Sequence, residues 1–366
     1  MSEIDAKAGK SRNGAARVSI EDIAEELGVS RTAVSFAIND RPGVSAETKR
    51  RVMEAADRMG WHRVYAAQAL GSSRTMTAGF APSRSFNELD DESFMLHFIS
   101  GLHEGLCARR YGLLYRPCLT MEEEMKVYED WASHKRVDGV VLINPCDDDP
   151  RPALLKELDV PAVIAGRAPG EPPLPSIGID DSTAMTMILD HLYLHGHRCV
   201  AYISGNESLN YSKERVETFN RYLREHHMEH GYVEFSDYDA ERAAHSTMRI
   251  LTTGAPAPTA FIYETELLAA TSLRTLSKAI LDKNSDAPCR DYVRMLPAIV
   301  SFEDSFVCES TFPSITAVRR DARAYGERVA GGLLDVFDGK PVPDDQKAVH
   351  LQLIERESTR GYVRAL

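Results

Sequence analysis

No stretch of this chain is apolar for long enough to cross a bilayer as a helix, which takes about 20 consecutive apolar residues. Its first residues, Met1 to Lys7, also lack the apolar core of a secretory signal. The expectation is therefore a cytoplasmic protein. The six cysteines, Cys107, Cys118, Cys146, Cys199, Cys289 and Cys308, form no Cys-x-x-Cys pair and no framework spacing, which predicts isolated reduced thiols rather than a disulfide scaffold. Gly-x-Gly-x-x-Gly, P-loop and Gly-x-Ser-x-Gly patterns are absent, so the sequence offers no support for dinucleotide, nucleotide-phosphate or serine-hydrolase chemistry. Positive charge is also short: 43 Lys and Arg stand against 55 Asp and Glu, a net charge of −12. Spread evenly, that balance would repel nucleic acid.

It is not spread evenly. Residues 1–74 hold twelve Lys and Arg against ten Asp and Glu, so the acidic excess belongs to the remainder. A mildly basic head on an acidic body suits phosphate contact confined to the head. At 366 residues the chain is long enough for two or three compact units.

Residues 1–17 are small and polar and are read as a disordered tail. Residues 18–63 carry the pattern of three short helices. Ser19-Ile20-Glu21-Asp22 is a capping pattern, and Ile20, Ile23, Ala24 and Leu27 recur on one helical face until Gly28 ends it. Ser30 caps a second helix with Val34, Ala37 and Ile38 inward. Ser45 caps a third with Val52, Ala55, Ala56 and Met59 inward, terminated by Gly60 and closed by Trp61. Small Ala24, turn-forming Gly28 and branched Val34 fall where two short helices cross closely, the signature of a helix-turn-helix. In that geometry the second helix enters the major groove with Arg31, Thr32, Ser35, Phe36 and Asn39 outward. Arg31, Thr32 and Phe36 are assigned to base edges; Ser19, Ser30, Asn39 and Lys49 are assigned to phosphate, which positions without reading sequence.

From about residue 75 the pattern becomes alternating α/β. Buried strands are expected at 76–80, 112–115, 139–143 and 162–164, with helices at 94–110 and 122–134. A second series runs 176–179, 199–203, 231–235, 260–263 and 298–302, with helices at 182–195, 212–227, 239–253 and 266–281. Two parallel-sheet lobes leave a cleft at the carboxyl ends of their strands, the usual ligand position in open α/β sheets.

The run from Val18 through Asp40, Val-Ser-Ile-Glu-Asp-Ile-Ala-Glu-Glu-Leu-Gly-Val-Ser-Arg-Thr-Ala-Val-Ser-Phe-Ala-Ile-Asn-Asp, and then Val44-Ser-Ala-Glu-Thr48, resembles the head of the LacI/GalR family of bacterial transcription regulators. Family landmarks continue at Arg136-Val-Asp-Gly-Val-Val-Leu142, Ile179-Asp-Asp-Ser182, His191-Leu-Tyr-Leu-His-Gly-His-Arg198, Pro258-Thr-Ala-Phe261, Ser301-Phe-Glu-Asp304 and Ile354-Glu-Arg-Glu-Ser-Thr359. The resemblance implies an all-α helix-turn-helix head plus a two-lobed α/β sensor domain of the type I periplasmic-binding-protein kind, with flavodoxin-like lobes. It implies a hinge or linker at 64–74, a first lobe at about 75–178 and 310–342, and a second at about 179–309 and 343–366, the chain crossing between them near 178, 310 and 342. It also implies a homodimer bound to near-palindromic operator DNA and controlled by a small-molecule effector, a carbohydrate, held between the lobes.

Residue by residue, Tyr65-Ala-Ala-Gln-Ala-Leu-Gly71 resembles the family's hinge helix. Alanines such as Ala67 would let two copies approach, and Leu70 stands at the apolar wedge that kinks DNA from the minor groove. Arg63-Val64 replaces the family's usual Pro-Asn before it, and a plain linker helix is the competing reading. Phe36 stands where the family commonly has Arg or another polar residue. In the cleft the resemblance assigns effector contact to Phe94, Arg167, Arg215, Thr265 and Glu303. Several depart from the family pattern: Gly166 replaces the Asp before Arg167, Thr265 and Glu266 replace an Asn-Asp pair, and Glu303 replaces Asp. A surface salt bridge for Arg215 and core packing for Phe94 are the competing readings.

His195 with His197, His226 with His230, and Asp147-Asp-Asp149 invite a metal reading, but helix ends and a solvated loop explain them. No metal, cofactor or catalytic residue is expected. The alternatives are a solute-binding protein with the same body, against which the head and the missing signal argue, and an enzyme with an appended head, which no catalytic constellation supports.

Overall fold

A computed structural model describes residues 18–39, 41–61, 74–84, 93–167, 174–228, 230–283, 289–342 and 349–360. The chain divides into two compact units, residues 1–73 and 74–366. The 1–17 tail, Ala67, Leu70 and nearly all of the 64–74 segment lie outside the described residues.

The first unit is three helices: α1 (Ile20–Leu27), α2 (Arg31–Ile38) and α3 (Ala46–Met59). Each is started by a serine whose hydroxyl accepts a backbone N–H three residues on. At α1 the box is reciprocal, Asp22 accepting the Ser19 backbone N–H at 2.7 Å. Gly28 ends α1 at φ 65°, a left-handed conformation that costs a side-chain-bearing residue about 1 kcal/mol. Ile23, Val34 and Val52, one from each helix, are wholly buried, ringed by Ala24, Ala37, Ile38, Ala55 and Ala56, with Trp61 packed against them. Alanines at the crossings let helices this short share one core.

In the second unit the first sheet has the order β2-β1-β3-β4-β5, all parallel. Its strands are β1 (Thr77–Phe80), β2 (Gly112–Tyr115), β3 (Gly139–Ile143), β4 (Ala162–Ala165) and β5 (Ser176–Ile177). The crossovers are α4 (Ser93–Cys107), α5 (Met121–Ser133) and α6 (Arg151–Glu157). This is the flavodoxin-like strand order. Gly139–Ile143 is buried throughout, as a parallel strand covered on both faces must be. The second lobe begins with α7 (Asp181–Leu194), β6 (Cys199–Ser204), α8 (Asn210–Glu225), β7 (His230–Phe235), α9 (Ala240–Thr253) and β8 (Ala260–Tyr263). It continues through α10 (Glu266–Lys283), α11 (Cys289–Met295), β9 (Ala298–Ser301), α12 (Phe306–Ser310) and β10 (Thr316–Arg320). After α13 (Ala322–Phe337), β11 (Leu351–Ile354) closes a sheet of order β11-β10-β9-β8-β6-β7, antiparallel only between β10 and β11.

The chain passes between lobes three times. The first passage lies between Ile177 and Asp181 and the third between Phe337 and Leu351. The second, expected near 310, needs correction: β10 pairs with β9 in the second sheet, so the chain leaves that lobe only after Arg320. The first-lobe segment expected at 310–342 therefore starts at about 322. Three buried residues followed by two arginines make a strand too short to stand out by periodicity. Helices at 151–157, 289–295 and 306–310 were likewise not expected, being one to two turns long. Helix 322–337 is long and capped by Asp321. It packs on α4 so closely that a methyl carbon at Gly101 would lie 2.0 Å from the Arg323 carbonyl oxygen. Glycine there sets the distance between the helices, and this pair binds a late segment of the chain into the first lobe.

Candidate nucleic-acid interface and interlobe cleft

On the head, Arg31 and Thr32 are exposed in the first turn of α2. The Arg31 side chain is 73% exposed, with its Nε 2.9 Å from Glu21, a pair that surface screening leaves weak and exchangeable for phosphate. Ser30 and Ser19 spend their hydroxyls on the helix caps. The Asn39 side-chain amide donates to the Ser35 carbonyl at 2.9 Å and stays exposed at the helix end. Phe36 is half-buried, its ring close enough to Gly43 that a methyl carbon there would meet Cδ2 at 3.2 Å. That contact orients the ring on α2. Lys49 is half-buried near the start of α3.

In the second unit, a cleft of about 700 Å³, partly open to solvent, lies between the two sheets. Phe94, Arg167, Arg215, Thr265 and Glu303 all line it. They arrive from different elements: Phe94 from the first turn of α4, Arg215 from α8, and Arg167, Thr265 and Glu303 from the segments that leave β4, β8 and β9. Carboxyl ends of parallel strands thus converge with helix starts, as doubly wound sheets dictate.

Arg215, only 2% exposed, is the centre of the wall. Its Nε donates to Asp181 Oδ1 at 2.9 Å and its Nη1 to Glu264 Oε1 at 2.6 Å, while the Phe302 ring lies 4.2 Å from the guanidinium carbon. Burial works against that charge, yet Asp181 and Glu264 hold its pKa well above the ordinary value. Glu264 also accepts from the Tyr202 hydroxyl and, at 3.3 Å, from Ser204. Arg320, the last residue of β10, pairs with Glu303, lies 3.6 Å from Asp181 Oδ1, and covers the Phe94 ring at 4.6 Å. Phe94 itself packs on Phe98 and Tyr325, so it serves the core and the cleft together. Thr265 is buried and its hydroxyl accepts the Leu268 N–H at 3.4 Å, in the first turn of α10. Arg167 is more exposed and pairs with Glu214 of the second lobe at 2.9 Å. Burial and the nearby Asp181 raise the Glu214 pKa, against the pull of Arg167.

Further contacts join the lobes beside the cleft. Asn210 N–H donates to the Pro145 carbonyl at 3.2 Å, Lys213 meets Asp147 at 2.5 Å, and Ser93 donates to Glu266 at 2.9 Å. Sequence reasoning did not assign Asp181, Glu264 or Arg320 to the site. Asp181 lay within a quoted landmark; Arg320 needed strand β10, and Glu264 needed the burial of an acidic side chain that composition does not reveal. Among the described residues no group of His, Cys, Asp and Glu could hold a metal ion.

A family model described as "Bacterial regulatory proteins, lacI family" matches residues 19–63, and one described as "Periplasmic binding protein-like domain" matches residues 189–359. The HTH-type transcriptional regulator AglR of Rhizobium meliloti is 30% identical over 349 residues, 93% of this chain and 94% of that protein. The chain belongs to the lacI family of bacterial regulatory proteins. The HTH-type transcriptional regulator CelR of Thermobifida fusca, another relative, is 28% identical over 93% of this chain and 98% of its own length. A solved complex of the regulator CelR with cellobiose superposes with a TM-score of 0.68 at 26% identity, covering 93% of this chain and 100% of that one. The lac repressor dimer bound to operator and an anti-inducer shares the fold, with a TM-score of 0.74 at 21% identity, covering 94% of this chain and 99% of that one. This lacI-family chain is accordingly a helix-turn-helix transcription regulator with a ligand-type cleft in its α/β unit. No helix among its described residues is long and apolar enough to cross a membrane.

Proposed function

We propose that this regulator is a cytoplasmic, homodimeric repressor whose hold on a near-palindromic operator is set by a carbohydrate in the interlobe cleft. One observation carries the reading. A recognition helix with Arg31 and Thr32 exposed shares a chain with a cleft whose wall is the buried Asp181–Arg215–Glu264 cluster. The helix presents base-reading and phosphate-pairing groups. The cleft presents carboxylates and guanidinium N–H groups, the donors and acceptors that hydroxyls require. The CelR complex contains cellobiose, which supports a sugar here.

Phe306 and Phe312, 79% and 58% exposed on the second lobe, supply apolar surface for a second copy, and a two-fold dimer would present two heads to two half-sites. Arg31, Thr32 and Phe36 are assigned to base edges, with Ser19, Ser30, Ser35, Asn39 and Lys49 around them along the backbone. A sugar that binds the two lobes differently in their alternative arrangements shifts the operator equilibrium by that difference in affinity. The relatives are regulators, and a purely regulatory role without catalysis is the reading adopted.

The test is a mobility-shift titration with DNA upstream of the chain's own gene, repeated with mono- and disaccharides added. Retardation as a dimer and release or tightening by one sugar is expected. A monomer indifferent to every duplex from that locus would defeat the proposal.

A further inference from the structure

We infer that Asp138 and Met76 are positioning residues for operator binding, because together they fix the direction in which the chain enters the α/β unit. This stands on the reading of the chain as an operator-binding repressor and goes further, naming residues of the body on which that binding depends. Met76 is the last residue before β1 and takes a left-handed backbone, φ 55°. A side-chain-bearing residue adopts that conformation at a cost and keeps it only where its surroundings hold it. Both peptide groups of Met76 are held. Its N–H donates to Asp138 Oδ2 at 2.9 Å, and its carbonyl accepts the Gly112 N–H at 2.9 Å. Asp138 Oδ1 accepts the Thr75 N–H at 2.6 Å and the Thr75 hydroxyl at 2.9 Å, while the Asp138 N–H donates to the Thr77 carbonyl at 2.8 Å. One residue thus engages three consecutive positions, and the two neighbouring N–H groups take one carboxylate oxygen each.

Asp138 is itself fixed to the first lobe. The Phe337 ring lies against the next residue, Gly139, where a methyl carbon would be 2.5 Å from its Cε1, and it stacks on Tyr111 with ring centres 5.2 Å apart. The Phe337 carbonyl accepts from Arg74 Nη2 at 2.9 Å, and Arg74 is where the second unit begins. Phe337 ends α13, so the point of entry is tied to a core helix rather than to a surface loop. Turning φ of Met76 to the ordinary negative range would swing every residue that precedes it about that one bond, including the segment that leads to the head. A chain whose joint had relaxed in this way would have to restore it on binding DNA. Its apparent affinity would fall by the fraction still in the competent state.

The experiment is a mobility-shift titration of the full chain against DNA upstream of its own gene, without added sugar, on Met76→Val, Met76→Gly and Asp138→Asn. Valine and glycine both withdraw the Met76 side chain from the first-lobe core, and lost packing alone would make glycine the worse of the two. The joint predicts the reverse order, because a β-branched residue resists a positive φ and glycine accepts it. Asp138→Asn keeps one acceptor oxygen and puts an amide N–H in place of the other, so it cannot hold Thr75 and Met76 at once. Met76→Val and Asp138→Asn should bind about tenfold more weakly, and Met76→Gly should stay within about threefold of the native chain. Thermal melts set the titration below the unfolding of every variant, and should Met76→Val not fold, Asp138→Asn against Met76→Gly decides. A glycine variant that binds no tighter than the valine one, or native affinity in a folded Asp138→Asn, overturns the inference and leaves the repressor reading standing. A native chain that retards none of these duplexes overturns both.

Discussion

The head and the cleft handle charge in opposite ways. On α2 the polar groups are exposed and bonded within a few residues, as in the Ser30 cap and the Asn39–Ser35 bond. The head's arginines, such as Arg31 on α2 and Arg50 on α3, hold surface partners in high-dielectric solvent. In the cleft, Arg215 reaches Asp181, 34 positions away, and Glu264, 49 positions away, and all three are buried. A surface that must exchange its partners for phosphate keeps its ion pairs weak. A site that must keep its shape around a small ligand needs strong, fully matched ones. The contrast predicts large and distributed effects of substitution in the cleft, and small, local ones in the head.

The largest effect is expected from Arg215→Ala. It leaves Glu264 buried without its cation and Asp181 with only Arg320, at 3.6 Å, a loss of about 3–5 kcal/mol to the body, and the effector response should vanish while operator binding by the folded variant persists. Calorimetric melting with a mobility shift reads both. A normal effector response would break the comparison at its strongest point.

Next is a pH effect on the body, from a histidine buried in its second lobe. His197 is wholly buried beside Thr259, and burial, with the neighbouring histidines and Arg198, lowers its pKa to about 3. The unfolded chain binds its proton near the ordinary value and the folded chain does not. The neutral-histidine contribution is therefore complete above about pH 6.5 and is lost progressively as pH falls toward 3. Between pH 7 and pH 5 it should take roughly 2 kcal/mol from stability. Denaturant melts of the native chain and His197→Gln should differ in pH slope over that interval, and parallel slopes would refute the assignment.

The smallest is Ser30→Ala, which removes the α2 cap at 3.1 Å and should cost the head about 1 kcal/mol. Operator binding should weaken and effector affinity stay unchanged. A change in effector affinity would show that head substitutions are not local.

How much of this was legible beforehand follows the same division. The helix spacing of Ile23, Val34 and Val52 and the serine caps announced the head almost to the residue, because capping and short-range packing involve neighbours in sequence. Strands 112–115, 139–143 and 260–263 were equally plain from their apolar runs. The five cleft residues drawn from family resemblance do converge on one cavity, but periodicity alone singled out none of them. The passage at Arg320 was misplaced because β10 has only three buried residues, and its identity as a strand depends on pairing with β9 and β11. Phe36 was read as outward on α2; its contact with Gly43 depends on a loop seven residues away.

The amino-acid order alone determined the three-helix head, the alternation of strands and helices, and the charge asymmetry between head and body, since each arises from interactions spanning a few residues. Only the tertiary structure decided which carboxylates hold Arg215, which lobe owns Arg320, and how nearly the charges of the cleft cancel. Those depend on segments from separate elements of the chain meeting in a medium of low dielectric, where burial turns a common surface residue into a committed partner.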